Sequence, residues 1–113
     1  MPGERPVDLW HGRDERGSRS IWATRLSDGR LRIEGQDLGP GVATLGKGLS
    51  EYEWAWTVAA ADVPRIAALL GSPAGADPIA VMRAWIQEGN GRDPGIALKK
   101  SGLTLEFWSR LGD

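Results

Sequence analysis

The chain has 113 residues, 14 basic and 15 acidic side chains, a formal net charge of −1, one histidine and no cysteine. A chain of this length forms one domain around a single modest core, and without cysteine it holds neither disulfides nor thiolate metal sites. The near-balance of charge, with a pI of about 5.8, supplies no bulk attraction to nucleic acid or anionic membrane, and no apolar run approaches the ~20 residues of a membrane span.

Residues 1–6 read as a flexible tail of the single domain 1–113, and Val7 to His11 as a short edge strand. His11 to Ser18 is charged and glycine-flanked, the composition of a mobile turn. Ser20 to Leu26 alternates, Ser27-Asp28-Gly29-Arg30 carries an Asp-Gly turn, and Leu31 to Glu34 alternates again. That pattern predicts a hairpin over 20–34 with Trp22, Thr24 and Leu26 inside, beside Leu31 and Ile33. Five glycines and a proline between Gly35 and Leu49 then make a long connection.

Residues 51–59 carry the clearest period of two. Tyr52, Trp54, Trp56 and Val58 share one face, and Glu51, Glu53, Ala55 and Thr57 the other, as in a half-buried antiparallel strand central to a sheet. Asp62 caps an expected helix over 62–70. Asp77-Pro78 and Asp93-Pro94 place a capping residue before a proline at the first helical position, predicting helices over 78–88 and 94–101. Leu103 to Phe107 alternates and predicts a last strand over 103–108. The expected fold is therefore α+β: an antiparallel sheet of four or five strands with two or three helices on one face. Trp22, Trp54, Trp56 and Trp85 supply much of its core.

Chemistry-bearing patterns are sparse. Gly41 to Gly48 matches a phosphate-binding loop until Gly48, where the motif needs a hydroxyl for magnesium, and it precedes a strand instead of a helix. Residues 96–110 have the rhythm of a helix-turn-helix, but the would-be recognition helix exposes Leu, Phe and Trp in place of base-reading side chains. His11 is the only imidazole and lies in an edge segment. Carboxylate pairs exist at Glu34 and Asp37 and at Glu51 and Glu53, without the spacing of a known metal loop. No catalytic, cofactor-binding or metal-binding residues are assigned. The outward Glu51 and Glu53, near Glu34 and Asp37, form a candidate acidic patch beside Arg30 and Arg32 of the neighbouring strand. Trp10 and Trp108 are the tryptophans expected at the surface, where Trp favours interface hot spots.

Three stretches, Leu31-Arg32-Ile33-Glu34-Gly35-Gln36-Asp37-Leu38-Gly39-Pro40, Glu51-Tyr52-Glu53-Trp54 and Leu105-Glu106-Phe107-Trp108-Ser109, are similar to a group of small bacterial proteins without an assigned activity. The resemblance covers about a third of the chain. It implies a compact bacterial α+β domain with a C-terminal strand, and it brings no catalytic residues.

The expected function is that of a non-enzymatic, cytoplasmic protein-binding domain, an immunity or antitoxin-type inhibitor that blocks a toxin or effector enzyme. Its partner is another protein, with no membrane role and nucleic acid disfavoured; the expected binding residues are Glu34, Asp37, Glu51, Glu53, Trp10 and Trp108. The alternatives are a DNA-binding regulator using residues 96–110 and a small enzyme acting through His11.

Overall fold

The computed structural model describes residues 4–40, 42 and 50–112. Its strands are β1 (Pro6–Asp14), β2 (Gly17–Arg25), β3 (Leu31–Leu38), β4 (Glu51–Val58) and β5 (Leu105–Gly112). They form one antiparallel sheet in the order β1-β2-β3-β4-β5. Between β4 and β5 the chain makes a 3-10 turn (Ala60–Arg65) that runs into α1 (Ile66–Leu69), then α2 (Pro78–Gln87) and α3 (Pro94–Lys100). The fold is α+β, with the helices gathered on one face.

That face holds the core. Ile21, Ala23, Leu31, Ile33, Trp54, Trp56 and Val58 from the sheet meet Val63, Ile66, Met82, Ile86 and Leu98 from the helical layer. Two glycines make room for the large rings. Gly35 stands opposite Trp54 in the register, and a Cβ there would run into the Trp54 indole; Gly95, in the first turn of α3, lies against the indole of Trp56 in the same way. The Trp56 indole Nε1 donates to Asp93 Oδ2 at 2.9 Å, while the other oxygen of that carboxylate accepts from Gly95 N at 2.9 Å. One side chain thus caps α3 and fastens it to the sheet.

The hairpin differs from the sequence expectation by a single residue of register. A two-residue Asp28-Gly29 turn would set Leu26 opposite Leu31 and turn Trp22 inward. Instead, Arg25 faces Leu31 and Ala23 faces Ile33. The connection is the five-residue loop 26–30, closed by Leu26 N donating to Arg30 O at 2.8 Å and Gly29 N to Leu26 O at 2.9 Å. A one-residue shift exchanges the two faces of a strand. Ile21 and Ala23 are therefore inside, Trp22 and Thr24 point away from the helices, and Leu26 is buried from the loop.

The other boundaries shift for local reasons. β1 is longer than 7–11, and residues 11–18, expected to be a mobile turn, are mostly the ladder of the β1–β2 hairpin, with only Glu15 and Arg16 in the turn. Glu4, in the expected tail, accepts from Ser27 N at 2.9 Å. β3 continues through Leu38, so the glycine connection starts at Gly39, whose N–H donates to Ser50 O. The phosphate-loop-like run lies outside the described residues except for Val42, which is buried. Asp62 does not cap a helix; it accepts from Arg65, and Pro64 interrupts the segment, leaving a 3-10 turn and one turn of α1. β4 is an interior strand one place from the edge, and β3 is the middle one. Residues 96–110 form α3 and then β5, so a strand follows the Ser101-Gly102 turn where a recognition helix would stand.

Candidate functional site on the open face of the sheet

The helices cover one face, and among the described residues no element covers the other. Cross-strand register brings Trp22 (β2), Glu34 (β3), Ala55 (β4) and Trp108 (β5) into one row across that open face. With neighbouring strands about 4.8 Å apart, the backbone positions that carry the two indoles stand roughly 14 Å from each other, over a floor lowered by the methyl of Ala55. They wall a groove of about 560 Å³ whose polar lining includes Glu34, Gln36, Glu53 and Thr57.

The adjacent row is Ser20, Gln36, Glu53 and Arg110. Gln36 Nε2 donates to Glu51 Oε2 at 2.8 Å and to Glu53 Oε1 at 3.4 Å, bridging the two carboxylates. A proton held on Glu53 can be donated to Glu51, which pushes Glu53 above its ordinary pKa and Glu51 below its own; the Gln36 amide and the Arg110 charge further favour ionised Glu51. As pH falls, Glu53 is the first of the two to take a proton. The full charge of the pair is present only above the raised pKa of Glu53. Glu34 is partly neutralised by Arg32, whose Nη1 lies 3.3 Å from Glu34 Oε1. On this face Asp8, Glu34, Glu51, Glu53 and Glu106 outweigh Arg13, Arg32 and Arg110, so a modest negative field lies between two aromatic walls.

Of the residues expected to form an interface, Glu34, Glu51, Glu53 and Trp108 come together here. Trp108 is 52% exposed. Asp37 and Trp10 lie elsewhere. Asp37 is an odd number of residues from Glu34 on the same strand and projects to the helical side, so those two carboxylates cannot share an ion. It takes a two-pronged hydrogen bond from Arg19, 2.6 Å from Nε and 2.8 Å from Nη2, which raises the Arg19 pKa above its ordinary value. Trp10 follows a bulge at Leu9, packs against the core and carries the Arg92 guanidinium 4.3 Å from its ring centroid. Trp10 and Asp37 border a second cavity of about 560 Å³, shared with Arg13, Arg16, Arg19 and Arg92.

Sequence reasoning missed Trp22 and Gln36. Trp22 was hidden by the hairpin register. Gln36 was legible: it shares the parity of Glu34 and pairs with Glu53 once β3 is extended past Gly35. His11 sits at the rim, its Nδ1 2.8 Å from Ser20 Oγ. Among the described residues no carboxylate hydrogen-bonds its other ring nitrogen, so the pair lacks the orienting third group of an activated serine.

Comparisons with protein-family models, curated proteins and solved structures returned no match. Among the described residues no helix is long and apolar enough to cross a membrane.

Proposed function

We propose that this domain is a non-catalytic binding protein whose open sheet face docks on a basic surface of another protein. The observation that carries this reading is the row Trp22–Glu34–Ala55–Trp108 beside the Gln36-bridged Glu51 and Glu53: aromatic walls to bury, and acidic groups to steer and select. A rigid sheet presents these groups at little ordering cost on association. In its finer form the partner is a toxin or effector enzyme and the domain an immunity or antitoxin-type inhibitor working in a bacterial cytoplasm. The bacterial setting rests on the resemblance in residues 31–40, 51–54 and 105–109.

Lysate capture with three baits tests the proposal: wild type, Glu51→Lys/Glu53→Lys, and Glu88→Lys at the exposed C-terminal end of α2. A basic protein retained by wild type and Glu88→Lys, lost by the double variant and weakened by salt, is expected. Equal retention by all three baits would place the partner on another surface.

A further inference from the structure

The two edges of the sheet are built differently. β1 opens on Pro6, is bulged at Leu9 and ends in Arg13 and Asp14, features that blunt an edge against further pairing. β5 has neither the proline nor the bulge, and its two charges, Glu106 and Arg110, are opposite in sign. Among the described residues it pairs only with β4, in unbroken register from Leu105 opposite Val58 to Gly112 opposite Glu51, and it contains neither proline nor lysine. It also carries the large exposed apolar side chains Phe107, Trp108 and Leu111, each 45–52% exposed.

The sequence of this edge says what fits it. Two antiparallel copies of a strand in one sheet are related by a two-fold axis normal to that sheet. The axis keeps each face on its own side, so it must pass through a residue pair of equal number. With the axis at Trp108, Leu105-Glu106-Phe107-Trp108-Ser109-Arg110-Leu111 is complementary to its own reverse. Glu106 of each copy faces Arg110 of the other, Trp108 faces Trp108, and Leu105 faces Leu111. Moving the axis to Phe107 or Ser109 sets Trp108 opposite Glu106 or Arg110 and loses both ion pairs.

We infer that the protein is a homodimer in which β5 pairs antiparallel with β5 of a second copy about a two-fold axis at Trp108, joining two sheets into one of ten strands. On the open face the Trp108 pair is flanked on each side by a Glu106–Arg110 pair; on the helical face the two Leu105–Leu111 contacts cover apolar surface. Cross-strand pairs of both kinds stabilise a sheet, and like charges set opposite each other destabilise it. The two open faces become continuous, with Trp108 a wall shared by both grooves. The pairing does not rest on the basic-partner reading, because it uses the strand edge and is measured with the pure chain.

Sedimentation velocity reads the association. Wild type is expected to shift with concentration toward twice the 12.2 kDa chain mass. Glu106→Arg, which sets arginine opposite Arg110 twice, is expected to raise the dissociation constant about tenfold or more, and Glu106→Arg/Arg110→Glu to restore it. Because the charge swap also places a carboxylate beside Glu53, a second measurement fixes the register. The chain has no cysteine. Trp108→Cys is therefore expected to form an intermolecular disulfide on mild oxidation. Glu106→Cys is not, since its two copies lie roughly 13 Å apart along the strands, beyond disulfide reach. A monomer at all concentrations into the millimolar range, a dimer indifferent to Glu106→Arg, or cross-linking through position 106 as fast as through 108 would overturn the inference.

Discussion

Trp54 and Trp56 are two residues apart on one strand, equally buried at 6% and 7% exposure, yet their indole N–H groups meet different fates. Trp56 Nε1 reaches the Asp93 carboxylate, whereas buried Trp54 Nε1 has no partner among the described residues. A buried donor without an acceptor costs stability, and removing it relieves part of that cost. Trp56→Phe is therefore expected to destabilise the fold by about 1–2 kcal/mol more than Trp54→Phe, although both remove the same volume. Urea unfolding of the two variants reads this difference directly; equal losses would mean that the Asp93 bond adds nothing. The inward position of both rings was legible from sequence, because only one parity of residues 51–58 is strongly apolar. Their unequal bonding was not, since Asp93 is distant along the chain and reaches Trp56 only when α3 docks.

At the scale of elements, the contrast between β4 and β2 shows where the sequence stops deciding. In β4 the two faces differ sharply in polarity. In β2 both parities hold apolar residues, Ile21 and Ala23 against Trp22 and Thr24, so periodicity alone cannot choose between them. The loop 26–30 makes the choice by taking five residues where an Asp-Gly turn takes two. Trp22 is thereby delivered to the open face, and the groove exists because of it. Trp22→Ser is expected to change stability by less than about 1 kcal/mol, as for a surface substitution, while Ile33→Ala, emptying space in the core, costs about 2–5 kcal/mol. Thermal or denaturant unfolding checks both; a large loss for Trp22→Ser would mean that the ring faces the core after all. The Asp-Pro starts of α2 and α3 were readable because proline and the capping carboxylate act within one turn, and both carboxylates do accept from the first turn of their helices. Asp62 carried a similar sign, but its carboxylate accepts from the Arg65 side chain in place of a first-turn N–H, and a 3-10 turn leading into the single turn of α1 formed there.

Across the whole molecule, a net charge of −1 conceals how the charge is arranged. Carboxylates outweigh guanidiniums on the open face, while Arg16, Arg19 and Arg92, with Asp14 and Asp37, border the cavity near Trp10. Composition averages these away, and only the fold separates them. The acidic residues of the candidate site were legible through strand parity; their aromatic frame was not, because it needs β2 and β5 placed on either side of β3 and β4. Docking of a basic partner between Trp22 and Trp108 is read from the tryptophan side chains themselves. The six indole N–H groups give separate NMR signals, assignable by Trp→Phe substitution, which can be followed as the captured partner is added. The Trp22 and Trp108 signals are expected to move or broaden while those of Trp54 and Trp56 hold still. Movement of Trp10, with Trp22 and Trp108 unchanged, would contradict that docking and put the partner at the arginine-lined cavity instead.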